Sequence, residues 1–188
     1  MRYCLIILLM NKMFVSMKGL AMEIKTVHQY GRVYSETPVR IRVASRAFLI
    51  NDGKILLSHE LNTGLYLIPG GGAEDDETAE ECCVREIREE TGYEVKPVEQ
   101  ILEIDEHFRH ILYISRYFIC EIIGKGEQKL TESEREHGVV PEWIEIEKAL
   151  EIFGEYGKYA DVDEEIEGQY RREYAAIKHY IEYTASAN

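Results

Sequence analysis

Glu86, Glu89 and Glu90 stand at i, i+3 and i+4. On a helix that turns about 100° per residue they share one face within a single turn. Three carboxylates so close repel one another and weaken a bare helix. A hard divalent cation turns that liability into a site, because Mg²⁺ takes oxygen ligands in near-octahedral geometry and keeps some waters and substrate phosphate oxygens. Ala79, Cys83 and Ile87 recur along the neighbouring edge and predict an apolar stripe that packs the helix onto a sheet. Upstream, Pro69 ends an apolar run, and Gly70-Gly71-Gly72 frees the main chain to approach a ligand closely.

The elements that must position this helix are mostly extended. Residues 23 to 38 are mixed and predict a short entry strand ending at Pro38. Val39 to Val43 alternates with period two, and Ala47 to Ile50 reads as its buried continuation. Asn51-Asp52-Gly53-Lys54 predicts a hairpin turn into a return strand, Ile55 to His59. Leu65 to Ile68 is a further short strand. Val95 to Asp105 and Ile111 to Ile123 are two β-rich runs. The polar, acidic stretch 127 to 138 predicts a mobile loop. Val139 to Ile144 reads as a last strand with Pro141 at an edge or bulge. Glu147 to Phe153 fits a short helix and Asp163 to Tyr183 a long one, whose Tyr170, Tyr174, Ile177 and Ile181 form a core-facing stripe. Strands on both sides of one helix, followed by a late helix, predict a mixed sheet sandwiched between helices.

Composition narrows the class. With 188 residues, 45% hydrophobic and 30% charged, the chain is long enough for one sizeable core. A net charge of −13 argues against a nucleic-acid polymer as partner, since such a surface repels phosphate at long range. Cys4, Cys82, Cys83 and Cys120 lack metal-ligand spacing and read as reduced thiols in a cytoplasmic protein. The apolar run Cys4 to Met10 is too short to span a bilayer. Residues 1–22 read as a flexible or over-extended tail, with Met10, Met13, Met17 and Met22 as alternative starts. Residues 23–188 form one domain ending in the C-terminal helix.

Residues 71 to 93 resemble the Nudix box, G-x5-E-x7-R-E-U-x-E-E-x-G-U, with U a bulky aliphatic residue. Gly71, Glu77, Arg85, Glu86, Ile87, Glu89, Glu90 and Gly92 match in register, and Tyr93 departs at the final U. Seven fixed residues at roughly 1 in 15 each give a chance match on the order of 1 in 10⁸ per start point. The resemblance extends over about residues 40 to 154, with Tyr66 where the family often has Trp. It implies an α/β/α sandwich and hydrolysis of the pyrophosphate bond in a nucleoside diphosphate linked to another moiety, with Mg²⁺ or Mn²⁺.

By that resemblance Glu86, Glu89 and Glu90 are the metal ligands, and Arg85 orients a ligand carboxylate. Glu77, near the helix start, suits the dipole and in the family locks the loop. The Gly70 carbonyl is a further candidate ligand, and Gly71 and Gly72 are candidate substrate contacts. An ion pair of Arg85 with Glu81 is the competing surface reading. The general base is either a box glutamate or one of Glu132, Glu134 and Glu136. Arg42 and Arg46, with Arg40 and Arg109 behind them, are candidate phosphate grips. His59, His107, His110 and His137 lack ligand spacing. Phe108 stands where ADP-ribose specialists of the family carry a proline, so NTP-type and ADP-sugar substrates both stay open, as does a homodimer. A non-catalytic Nudix-fold binding module or an isomerase on the same fold are the alternatives, and the complete carboxylate set argues against a pure binder.

Overall fold

The computed structural model describes residues 24–186, and the expected N-terminal tail lies outside them. In chain order the elements are β1 (Lys25–Tyr34), β2 (Arg40–Phe48), β3 (Ile50–Asn51), β4 (Lys54–Glu60), β5 (Leu65–Leu67), β6 (Gly70–Gly72) and α1 (Ala79–Thr91). There follow β7 (Tyr93–Arg109), β8 (Ile111–Lys125), α2 (Glu132–His137), β9 (Val139–Glu145), α3 (Ile146–Gly154), a 3₁₀ turn (Glu155–Tyr159) and α4 (Glu164–Ser186).

Two sheets form where one was expected. The first is mixed, in the order β1-β7-β8-β2-β6, with β1 parallel to β7, β2 parallel to β8, and β7–β8 and β2–β6 antiparallel. The second is antiparallel: β4 pairs with β3, β5 and β9. The run Ala47 to Ile50 is split at Leu49, where the chain leaves the first sheet and enters the second. Asp52 and Gly53, with φ of 49° and 78°, close the β3–β4 hairpin by the primed turn that matches strand twist. Pro141, opposite Ser58, lies on the edge strand β9, where its missing N–H costs no ladder bond.

Both faces are buried, so neighbouring residues point into different cores. Ala47, Leu56 and Phe118 face Cys83 and Ile87 of α1. Phe48, Leu57 and Tyr117 face Ala149 and Phe153 of α3 and Tyr170 and Ile177 of α4. The result is α1 on one side of the sheets and α3 with α4 on the other. Tyr174 and Ile181 pack into the second core from its rim, and the Tyr170 hydroxyl accepts the Tyr66 N–H at 3.1 Å.

Residues 127 to 138 are not the mobile loop expected. Thr131 and Glu134 form a reciprocal capping box and Gly138 is the left-handed C-cap, so Glu132 to His137 closes into helix. Just before it, Lys129 N–H donates to Glu89 O at 2.7 Å and Gln128 Nε2 to Glu90 O at 2.6 Å. These bonds satisfy carbonyls that the end of α1 leaves open.

A buried charge network fastens α4 to the first sheet. Glu173 is fully buried. It accepts from Arg172 Nη2 at 2.7 Å and from the Tyr117 hydroxyl at 3.1 Å, and lies 3.7 Å from Arg46 Nη1. Arg172 also donates to Glu106 at 2.8 Å. Removing one member of such a set leaves the others charged and unpaired. Glu173→Ala should therefore cost about 3–5 kcal/mol, and Tyr117→Phe only about 1 kcal/mol. Urea denaturation measures both, and a Glu173→Ala loss no larger than that of Tyr117→Phe would show that the network does not hold the helix.

Candidate active site

The glycine run is an edge strand. β6 pairs antiparallel with β2, in the register Ala44 to Gly72, Ser45 to Gly71 and Arg46 to Gly70. Gly70 has φ 140°, and a Cβ there would drive into Ser45 O and the Arg46 backbone. A Cβ on Gly71 would collide with the Glu86 carboxylate, whose Oε1 would be only 2.7 Å away. The missing side chains let the α1 carboxylates lie directly against backbone.

α1 begins at a second capping box, Thr78 with Glu81, and ends at Gly92 in the left-handed region with its N–H on Arg88 O. Its first cap consumes Glu81, so Arg85 does not pair with it. Arg85 instead clamps Glu77 with two bonds, Nε at 2.7 Å and Nη2 at 2.8 Å, and donates to Gly72 O at 3.0 Å. Its Nη1 reaches Glu86 at 2.7 Å and Glu89 at 3.4 Å. Glu77 in turn accepts the Glu74 N–H at 3.0 Å. One guanidinium thus ties the loop, the edge strand and the carboxylate face together.

The Glu90 carboxylate accepts the Gly70 N–H at 2.7 Å. Burial pushes it up to about 7, although the Gly70 N–H and the charge of Arg46 pull the other way. Burial also raises Glu86, opposed by its bond to Arg85. The Arg85 hydrogen bonds hold Glu77 down at about 2. Among the described residues no three acidic, imidazole or thiol groups close on a single point. Arg85 Nη1 sits between Glu86 and Glu89 and supplies the neutralising charge there.

The other candidates divide. Arg42 is exposed, and its Nη2 lies 3.8 Å from where a Cβ on Gly72 would be. Arg46 is turned inward: Nη1 donates to Ile68 O at 2.8 Å beside Glu173, and the side chain is only 12% exposed. It braces the segment that leads into β6 and presents no grip to a phosphate. Arg40 is exposed, and Arg109 lies over the Phe108 ring at 4.9 Å. Of the three glutamates on α2, Glu134 is the one whose charge raises both Glu86 and Glu90, while its carboxylate caps Thr131. His59 gains a partner that spacing did not reveal, Glu142 at 2.7 Å.

The buried carboxyl has a measurable signature. Glu90 holds its proton in the folded chain up to about pH 7, against an ordinary 4.5. The native state therefore binds more protons than the unfolded state between those values, and stability without metal should fall as pH rises through that window. The full loss above it is on the order of 3 kcal/mol. Glu77 acts oppositely: its stabilisation is complete above 4.5 and is lost as pH falls toward 2. Thermal melts in EDTA at pH 5 and pH 8 should show a decline for wild type and a clearly smaller one for Glu90→Gln, in which Glu86 is the raised carboxyl that remains. An equal decline in both would remove Glu90 as its source.

The NUDIX domain family model matches residues 40–165. An ADP-ribose pyrophosphatase from Methanocaldococcus jannaschii is 32% identical over 131 residues, 61% of this chain and 77% of that protein. An NAD-capped RNA hydrolase, NudC, from Vibrio atlanticus is 37% identical over 76 residues, 39% of this chain but only 25% of that protein. A NUDIX hydrolase structure from Nitrosomonas europaea superposes with a TM-score of 0.50 at 22% identity, over 72% of this chain and 88% of that one, a likeness of fold. The match from β2 to the start of α4, around a carboxylate helix clamped to a glycine edge strand, establishes that the chain belongs to the NUDIX domain family.

Proposed function

We propose that the protein is a NUDIX pyrophosphohydrolase that uses Mg²⁺ or Mn²⁺ to cleave a nucleoside diphosphate linked to a second moiety, of NTP or ADP-sugar type. The observation that carries this reading is the carboxylate face of α1, pressed against a β6 strand that has no side chains to keep a ligand away. Glu86, Glu89, Glu90 and the Gly70 carbonyl would hold the ion. The donor set is all hard oxygen, as Mg²⁺ and Mn²⁺ prefer. When bound, the ion supplies neutralisation of the diphosphate charge and a lower pKa for water.

The chain's own residues do the positioning. Water adds to one phosphorus and the bridging P–O bond breaks, leaving a nucleoside monophosphate and the phosphorylated second moiety. Arg85 keeps the α1 carboxylates and the β6 backbone in one register through its bonds to Glu77, Glu86 and Gly72. Gly71 and Gly72 offer bare backbone to the substrate, and Arg42 lies beside Gly72 to meet a phosphate. Glu134, partly buried and electrostatically coupled to Glu86 and Glu90, is the best placed of the α2 glutamates to take a proton. The relative named as an ADP-ribose pyrophosphatase supports the bond type. The net charge of −13 and the reduced thiols fit a small substrate in the cytoplasm, and no described helix is long and apolar enough to cross a membrane.

Glu89→Gln and Glu90→Gln should each lower kcat by about 10² or more, the scale of losing a transition-state charge stabiliser. Glu80→Gln, exposed on another face of α1, should be nearly silent. Release of monophosphate from a panel of nucleoside diphosphate compounds with Mg²⁺ measures this, and near wild-type turnover in both variants would sink the assignment. Mg²⁺ at a hundredfold excess over Kd should stabilise the fold by about 2.7 kcal/mol, which at roughly 2–4 °C per kcal/mol raises the melting point by about 5–10 °C. The variant with Gln at 86, 89 and 90 together should lose most of that shift. An equal response in both proteins would place the metal elsewhere.

A further inference from the structure

A cavity of about 280 Å³ lies between β1, the turn joining β7 to β8, and the first turns of α4. Its size is near the lower end of the roughly 300–1,000 Å³ of small-molecule sites. Much of its wall, Gln29 to Arg32 on β1 and Glu167 to Arg172 on α4, falls outside the span matched by the family model.

Arg42 connects the cavity to the edge strand. It lines the cavity and also lies against Gly72. A group attached to a diphosphate held along β6 would pass this guanidinium on its way into the cavity, and a guanidinium suits a phosphate oxygen pair. Beyond that point the lining holds three arginines and four glutamates, and the main pairs are closed: Arg32 with Glu167 at 3.1 Å and Arg172 with Glu106 at 2.8 Å. Such a wall has no surplus positive charge for further phosphates, and its carboxylates repel them. Carboxylate oxygens with spare lone pairs accept from hydroxyls.

The rest of the wall suits a ring. Tyr30 stacks on His107 with centroids 5.0 Å apart and planes at 16°, and Phe108 adjoins them.

We propose that this cavity receives the second moiety of the substrate, a neutral, hydroxyl-bearing ring such as a ribosyl or hexosyl group, with Arg42 on the phosphate that carries it. The assignment rests on the pyrophosphohydrolase reading and deepens it: it selects a sugar linked through a diphosphate over a triphosphate or a polyphosphate.

Gly168 gives the test. It lines the cavity from α4, and a Cβ there meets only Glu106 Oε1, at an ordinary 3.5 Å. Leucine is also the better helix former. Gly168→Leu should fold, melt at or above the wild-type temperature, and fill the cavity. With Mg²⁺, wild type should hydrolyse ADP-ribose or UDP-glucose with a kcat/KM at least tenfold above that for ATP, and the better of the two tells ribosyl from hexosyl. Gly168→Leu should lose that tenfold and keep its rate on ATP. Preference for ATP, or unchanged ratios in the variant, overturns the assignment and leaves the hydrolase reading standing. If wild type hydrolyses none of the three, the hydrolase reading fails, and calorimetry with ribose 5-phosphate and glucose 1-phosphate decides the cavity alone. Binding of either that weakens tenfold in Gly168→Leu supports the cavity assignment, and binding of neither overturns it.

Discussion

Like charge held out of water is the constraint on which this structure turns. Glu86, Glu89 and Glu90 occupy one turn of α1, and Glu90 is only 9% exposed. Repulsion and desolvation both oppose that arrangement. Arg85 offsets part of it, and the same guanidinium that touches Glu86 and Glu89 is anchored by the bidentate bond to Glu77 and by Gly72 O. Neutralisation of the carboxylates and alignment of helix, loop and edge strand are therefore one interaction. In the proposed function a divalent cation would answer this charge, since within the site one arginine touches Glu86 and Glu89, and the most buried glutamate has the Gly70 N–H and the more remote charge of Arg46.

The second face of the sheets explains how that alignment is kept. β2 carries Gly70 to Gly72 by register, and Arg46 on β2 is held by Ile68 O and faces Glu173 of α4. The buried Arg46–Glu173–Arg172–Glu106 set thus runs from the C-terminal helix to the strand that pairs with the glycine edge. Moving α4 would move the base on which β6 rests. Most of α4 lies beyond the family-matched span, yet it is wired into the part of the fold that all the chemistry needs.

The box helix, the hairpin at Asp52-Gly53, the long β-rich runs and the tyrosine stripe of α4 were legible because each is a local pattern: a fixed spacing, a turn dipeptide, or a period of two or 3.6 residues. What escaped was set by distant partners. Nothing near Arg46 in sequence announces Glu173, nothing near His59 announces Glu142, and the switch between sheets at Leu49 follows from which strands lie alongside. Helix α2 is a different case. Thr131 to Glu134 followed by Gly138 is a local start and stop signal as clear as Thr78 to Glu81 with Gly92, and acidity alone made the stretch read as a loop. At the site, spacing identified the carboxylates and Arg85. It did not indicate that Glu77 takes the guanidinium from Glu81, because that depends on Thr78 having already engaged Glu81 as a cap.

Arg42 and Arg46 show how tertiary context assigns roles that a strand pattern leaves equal. They lie four positions apart on β2, so alternation puts both on the face toward α4. Over Arg46 the helix is packed down, and Glu173 meets the guanidinium in an enclosed site where an unpaired carboxylate would be costly. Over Arg42 the first turns of α4 stand off from the sheet, tied to β1 through bonds such as Arg32 to Glu167 and Arg171 to Tyr30 O. The gap they prop open is the cavity, and Arg42 stays exposed at its edge beside Gly72. One arginine therefore stabilises the scaffold, and the other faces the proposed substrate cavity. The difference is made by where the C-terminal helix touches the sheet.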